Sequence, residues 1–168
     1  QMAKILVVDD EARMALLLAS TLEDAGHSIS IFNQGDQALS ALANEQYDLV
    51  ITDLKMPPPD GLEILRTVRQ DYPDTGVILM TAFATAESAI TAMKNGAYDY
   101  LIKPFSLDEM TILVDRYFEN RRTKVLNEQL TADYESVAVG EFIGASEVVQ
   151  QLFGMIDKVA KRESTVLL

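Results

Sequence analysis

Four short apolar runs in the first two-thirds of this chain each stop at a charged or hydroxyl-bearing residue. Leu49-Val50-Ile51-Thr52 ends at Asp53, and Ile5-Leu6-Val7-Val8 ends at Asp9-Asp10-Glu11. Val77-Ile78-Leu79-Met80 ends at Thr81-Ala82, and the run from Tyr98 to Ile102 ends at Lys103-Pro104. Helical patterns separate the runs, and this alternation marks an α/β fold with a parallel sheet covered on both faces. Strands are expected at residues 4–8, 28–32, 48–53, 76–81 and 98–102. The carboxyl ends of parallel strands converge on one edge of the sheet, where α/β ligand sites lie. Three carboxylates, one hydroxyl and one ammonium would then meet in a single crevice.

The intervening helices follow from a 3.6-residue apolar period. The first presents Met14, Leu17, Leu18, Thr21, Leu22 and Ala25, and Gly26 stops it in the left-handed cap position. A weaker helix covers residues 35–44. The third carries Ile64, Leu65, Val68 and Tyr72, and the fourth Ala86, Ala89, Ile90 and Met93, with Gly96 after its end. Ser106-Leu107-Asp108-Glu109 opens the fifth as a capping box, in which Ser106 and Glu109 satisfy each other's exposed amides. Its buried face reads Leu107, Met110, Val114 and Tyr117. No Pro or Gly interrupts the chain from Phe105 until Gly140, so this helix is expected to run past the domain. Phe118, Val125, Leu126 and Leu130 are sparse for a heptad, and both a short dimeric coiled coil and a frayed, solvated helix fit them. After Gly140 a helix from Glu147 to Ala160 and a strand at 165–168 are expected. They are too short to bury a core of their own and read as the start of a second domain.

Composition removes several functions. A formal charge of −12 argues against this chain gripping DNA, which needs clustered Lys and Arg. There is no cysteine, hence no disulfide framework and no thiolate metal site, which is compatible with a reducing cytoplasm. No apolar run reaches the roughly 18–20 residues of a membrane span, and no signal peptide precedes the first strand. Gln1 stands where an initiator is expected and reads as an addition ahead of Met2. The single histidine, His27, cannot build a catalytic triad or a multi-histidine metal site and reads as structural or exposed.

The acids ask for a cation. Asp9 and Asp10 each suit a helix cap, and Asp53 alone suits a turn, but together they exceed what capping requires. Two carboxylates about 5 Å apart repel by roughly 3 kcal/mol at an effective dielectric near 20. Mg²⁺ suits such an all-oxygen site and leaves coordination room for phosphate. Lys103 supplies a second, mobile positive charge, and Lys103-Pro104 suits a sharp redirection with a cis bond. Thr81 is either a plain β-branched strand residue or a hydroxyl that meets a phosphoryl oxygen.

The ordered set Asp9-Asp10, Asp53-Leu-Lys-Met-Pro-Pro-Pro-Asp60-Gly61, Thr81-Ala82 and Lys103-Pro104-Phe105 resembles the receiver domain of two-component response regulators, over about residues 3–120. The resemblance implies a flavodoxin-like (CheY-like) five-stranded parallel sheet in order 2-1-3-4-5. It implies that Asp53 accepts phosphate from a sensor histidine kinase, with Lys103 and Thr81 engaging the phosphoryl group. It implies Mg²⁺ held by Asp10, Asp53 and the Lys55 carbonyl, with support from Asp9. Tyr100 matches the family's switch position, expected to follow Thr81 once Asp53 is phosphorylated. Tyr98 lies on the same strand face by pattern, so it competes for that role.

Phe142-Ile-Gly-Ala-Ser146, Val149-Gln-Gln-Leu-Phe153 and Thr165-Val-Leu-Leu168 are similar to the start of the AAA+ domain in NtrC-type, sigma-54-dependent transcriptional activators. That implies a receiver at 1–120, a helical linker with possible dimerisation at 121–139 and a AAA+ stub at 140–168. No G-x-x-x-x-G-K-[ST] phosphate loop occurs in the 168 residues, so the chain is expected to accept phosphate rather than act as an ATPase enzyme. RNA polymerase sigma-54 holoenzyme and DNA would be met only through domains this stretch lacks, and a homodimer through linker or receiver is expected. Rival readings are a flavin-binding flavodoxin, an aspartyl-phosphate phosphohydrolase and a stand-alone receiver. Asp-Asp-Glu after the first strand suits neither a flavin phosphate loop nor the phosphohydrolase Asp-x-Asp, and the linker and stub argue against the third.

Overall fold

The structure, a computed structural model, describes residues 2–140, with side chains through Ala132. The helix and strand expected beyond Gly140 lie outside the described residues. Five strands alternate with five helices: β1 (Lys4–Val8), α1 (Ala12–Asp24), β2 (Ser28–Phe32), α2 (Gly35–Asn44), β3 (Leu49–Asp53), α3 (Gly61–Asp71), β4 (Gly76–Thr81), α4 (Ala86–Lys94), β5 (Asp99–Ile102) and α5 (Leu107–Gly140). The strands form one parallel sheet in the order β2-β1-β3-β4-β5.

Alternation along the central strands feeds two separate cores. Leu6, Val8, Val50, Val77 and Leu79 pack with Ala38 and Leu42 of α2 and Ile64, Leu65 and Val68 of α3. Ile5, Val7, Ile51, Ile78 and Met80 pack on the other face with Leu18 and Leu22 of α1 and Met110, Val114 and Tyr117 of α5. Each fully buried aliphatic side chain contributes roughly 1.5–3 kcal/mol, and both faces of the sheet draw on it. Because β1, β3 and β4 are buried on both sides, their sequences read as unbroken apolar runs.

Three details depart from the sequence reading. In α1 the buried residues are Ala15, Leu18, Ala19 and Leu22, whereas Leu17 is half exposed, so the apolar face is turned by one position. In α4 only Ala92 is buried, and Ile90 and Met93 face outward. Tyr98 precedes β5 and packs into the α1/α5 core, whereas Tyr100 lies within β5 against the α2/α3 core. The two-residue alternation does not extend to a residue outside the strand, and the two tyrosines are not equivalent.

Gly26 follows the end of α1, in the turn to β2, with φ +91, a conformation that L side chains rarely adopt. Ser106 and Glu109 form the reciprocal cap at the start of α5, with amide contacts of 2.7 and 3.1 Å. Tyr117 anchors this helix at the amino edge of the sheet. Its hydroxyl donates to the Asp48 carbonyl at 2.8 Å and accepts from the Gly76 amide at 2.9 Å. The first compact unit spans Gln1–Asn120 and holds the sheet; the second begins at Arg121 within α5. In the described part of that second unit, Val125, Leu126 and Leu130 are exposed.

Candidate functional site

The carboxyl edge of the sheet gathers the acids. Asp9 follows β1 directly and is fully buried, Asp53 is the last residue of β3 and is 8% exposed, and Asp10 is open to solvent. One carboxylate oxygen from each lies within 4.8 Å of the others. This donor set of hard oxygens suits Mg²⁺ in chemistry and in spacing. Helix capping does not account for the group. The N-cap of α1 is Glu11, without a side-chain cap bond, and Asp9 instead accepts the Glu11 amide at 2.9 Å.

Lys103, just past β5, closes the group from the far side. Its Nζ donates to Asp9 Oδ2 at 2.7 Å and to Asp53 Oδ2 at 3.4 Å. The backbone directs it there: the Lys103 amide donates to the Thr81 carbonyl at 2.7 Å, and the bond to Pro104 is cis, as the sequence suggested. Burial works against the charge on Lys103, yet hydrogen bonding and attraction to Asp9 and Asp53 leave its pKa raised. Asp53 is also raised, chiefly by burial and then by Asp9, against the opposing pull of Lys103. A carboxylate at the sheet edge is thus held with its charge only partly compensated, a state that favours taking up a cation.

Thr81 ends β4 and is fully buried; its Oγ1 accepts the Phe83 amide at 3.1 Å. Tyr100 is half-buried, and its hydroxyl meets Ser88 Oγ at 3.0 Å rather than Thr81. Lys55 is exposed; its amide bonds the Asp53 carboxyl and its ammonium stands 4.8 Å from the centroid of the Phe83 ring. Gly61 opens α3 under the Asp53 carbonyl, where a Cβ would collide with backbone. The structure therefore brings Asp9, Asp10, Asp53 and Lys103 into one group, with Thr81 and Lys55 on the segments bordering it.

Sequence reasoning missed three neighbours. Asn33 donates to the Asp9 carbonyl at 2.8 Å, Phe83 lies beside Lys55, and Ser88 holds Tyr100. Of these, only Ser88 left a trace, as the third residue after Thr85 at a helix start. Its type, Ser rather than Glu or Gln, weakened that signal. His27 is structural: its ring stacks on Phe118 with centroids 5.4 Å apart.

Residues 5–115 match the family of response regulator receiver domains. The chain belongs to that family. Among its relatives, the DNA-binding transcriptional regulator NtrC of Escherichia coli (strain K12) is 33% identical over 168 residues, covering 98% of this chain and 34% of the relative. The chain thus spans about a third of the length of that relative. The receiver domain of the Francisella response regulator 1452 is 33% identical with a TM-score of 0.66, covering 70% of this chain and 98% of that one. NtrX from Brucella abortus, solved in complex with ADP, is 30% identical with a TM-score of 0.69, covering 95% of this chain and 34% of that one. These matches are to receivers and to longer response regulators, and they give the phosphohydrolase and flavin-binding readings no support. Among the described residues no helix is long and apolar enough to cross a membrane.

Proposed function

We propose that Asp53 of this receiver takes a phosphoryl group from the phosphohistidine of a sensor histidine kinase, and that the modification governs an NtrC-type, sigma-54-dependent transcriptional activator. The observation that carries the proposal is the grouping of Asp53 with two further carboxylates and the Lys103 ammonium at one sheet edge. An Asp53 oxygen attacks phosphorus, the bond from phosphorus to the imidazole nitrogen breaks, and the histidine leaves with that electron pair. Lys103, a mobile point charge, exchanges part of its contact with Asp53 for a phosphoryl oxygen. Thr81 offers its hydroxyl to the same group from the next strand. Asp10, Asp53 and the Lys55 carbonyl would hold Mg²⁺, with Asp9 supporting it. When bound, the metal supplies positive charge against the transferring oxygens.

Residues 1–120 act as the receiver, 121–139 as a helical linker contributing to a homodimer together with or in place of the receiver, and 140–168 as the start of a AAA+ domain. RNA polymerase sigma-54 holoenzyme and DNA are then contacted by other parts of a cytoplasmic activator. Support comes from relatives that are three times longer and include a regulator named for DNA binding and one solved with ADP. Incubation with a small phosphodonor and Mg²⁺ tests the core of this. Wild type acquires one phosphoryl group by intact mass and Asp53→Asn acquires none; equal labelling of the two removes Asp53 from its role.

A further inference from the structure

Glycine is the poorest helix former after proline, yet Gly35 is the first residue of α2. Its backbone gives no reason for the choice: among the described glycines, positive φ angles belong to Gly26 and Gly96. The reason is a neighbour. A Cβ on Gly35 would overlap the Pro59 carbonyl oxygen and stand 2.9 Å from Pro59 Cγ. Non-bonded carbons settle at about 3.5 Å or more, so a side chain here would force α2 and the segment bearing Pro59 apart by about 1 Å.

Pro59 belongs to the loop that joins β3 to α3, which leaves Asp53 and carries Lys55. That loop is fixed at both ends. The Leu54 amide donates to the Met80 carbonyl at 2.7 Å, and the Leu54 carbonyl accepts the Gly61 amide at 3.1 Å. Asp60 closes the loop as the N-cap of α3 and accepts the Glu63 amide at 3.0 Å. Between these ends Leu54 and Met56 are buried in the core that holds Ala38 and Leu42 of α2. Lys55 is exposed between them, with its amide bonded to the Asp53 carboxyl. Gly35 therefore sets how closely the loop seats on α2, and Lys55 moves with that seat.

We propose that Gly35 is a positioning residue for the cation: the close seat it gives the β3–α3 loop fixes the Lys55 carbonyl, and this makes the site discriminate Mg²⁺ from the larger Ca²⁺. The proposal rests on the reading in which Asp10, Asp53 and the Lys55 carbonyl hold the metal. Mg²⁺ demands a near-ideal octahedron at about 2.0–2.1 Å, whereas Ca²⁺ accepts a flexible shell at about 2.3–2.6 Å. A carbonyl displaced by about 1 Å is lost to the first ion and tolerated by the second. Calorimetric titration of the whole chain with Mg²⁺ alone and with Ca²⁺ alone tests this. Gly35→Ala should weaken Mg²⁺ binding about ten- to a hundredfold, the range for losing a group that orients a metal ligand, and Ca²⁺ binding far less. The ratio of the two dissociation constants then moves toward Ca²⁺ by about tenfold or more. Gly26→Ala is the control. It strains a backbone at φ +91, with nothing within 4 Å of the new Cβ, at the opposite edge of the sheet, and should leave the ratio alone. Met56→Ala empties the loop's buried seat and should move the ratio in the same direction, which decides the matter if Gly35→Ala fails to fold. An unchanged ratio in the variants that fold, equal loss of both ions, or a matching shift in Gly26→Ala overturns the role of Gly35 alone. A wild type that binds neither ion overturns the metal reading, and this proposal with it.

Discussion

Replacing Lys103 with methionine keeps the length of the side chain and removes the charge between two buried acids. At an effective dielectric of about 20, an ammonium at the observed separations attracts Asp9 by about 6 kcal/mol and Asp53 by about 5 kcal/mol, before desolvation is counted. Without it, carboxylates up to 4.8 Å apart repel by about 3.5 kcal/mol. Most of the gross attraction is offset by desolvation of the lysine, and removing one partner of a buried pair costs about 3–5 kcal/mol net. Protonation limits that loss. The Asp53 carboxyl already lies above its ordinary 3.8, and losing Lys103 raises it further. A carboxyl raised in the folded state stabilises the fold at low pH. That stability is lost as pH rises from the unfolded value through the folded one, at up to about 1.4 kcal/mol per pH unit. Urea unfolding of Lys103→Met in a chelator should therefore lag wild type least at acid pH and fall behind it by about 3 kcal/mol at neutral pH. Mg²⁺ should restore more stability to the variant than to wild type, because it replaces the missing charge. A variant as stable as wild type at neutral pH in chelator, or one that Mg²⁺ helps no more than wild type, would refute this reasoning.

Three further outcomes follow from the geometry of the same fold. Mg²⁺ binding should tighten as pH rises through the raised Asp53 value and should release protons, read by calorimetry in buffers of different ionisation enthalpy; heats independent of buffer would contradict it. Gly61→Ala places a Cβ against the Asp53 carbonyl and the Leu54 Cα, so it should cost about 1–3 kcal/mol in urea unfolding, and an unchanged midpoint would show that the backbone yields freely. His27 has a buried Nδ1 with no partner and a pKa lowered mainly by burial, so stability is full above the ordinary 6.5 and is lost as pH falls through it toward the folded value. His27→Phe keeps a ring against Phe118 and should flatten that pH dependence; an unaltered slope would point to other groups.

Most of the fold was legible because parallel strands buried on both faces leave no polar alternation to confuse the reading. β1, β2 and β4 start and end where expected, and α2 occupies residues 35–44 as read. Helix phase was harder. Leu16, Leu17 and Leu18 are consecutive, so composition does not fix which of them turns inward, and the small Ala15 and Ala19 take the buried places. In α4 the large apolar residues Ile90 and Met93 face solvent while Ala92 packs inside, so size misled the reading. The acids and Lys103 were found because chemistry marks them wherever strand ends meet. Ser88 and Asn33 were not, because a hydroxyl or amide that works through one partner's position has no pattern in one dimension. The role of Tyr117 at the opposite sheet edge, across 69 residues to Asp48, escaped for the same reason.

The central claim, that Asp53 itself carries the phosphoryl group, is tested most directly by reductive trapping. The chain is labelled with acetyl phosphate and Mg²⁺, treated with tritiated borohydride, which reduces an acyl phosphate and spares a free carboxylate, and then mapped by peptide. Tritium confined to position 53 is the predicted result. Tritium at Asp9, Asp10 or another carboxylate, or none above an unphosphorylated control, would contradict the account.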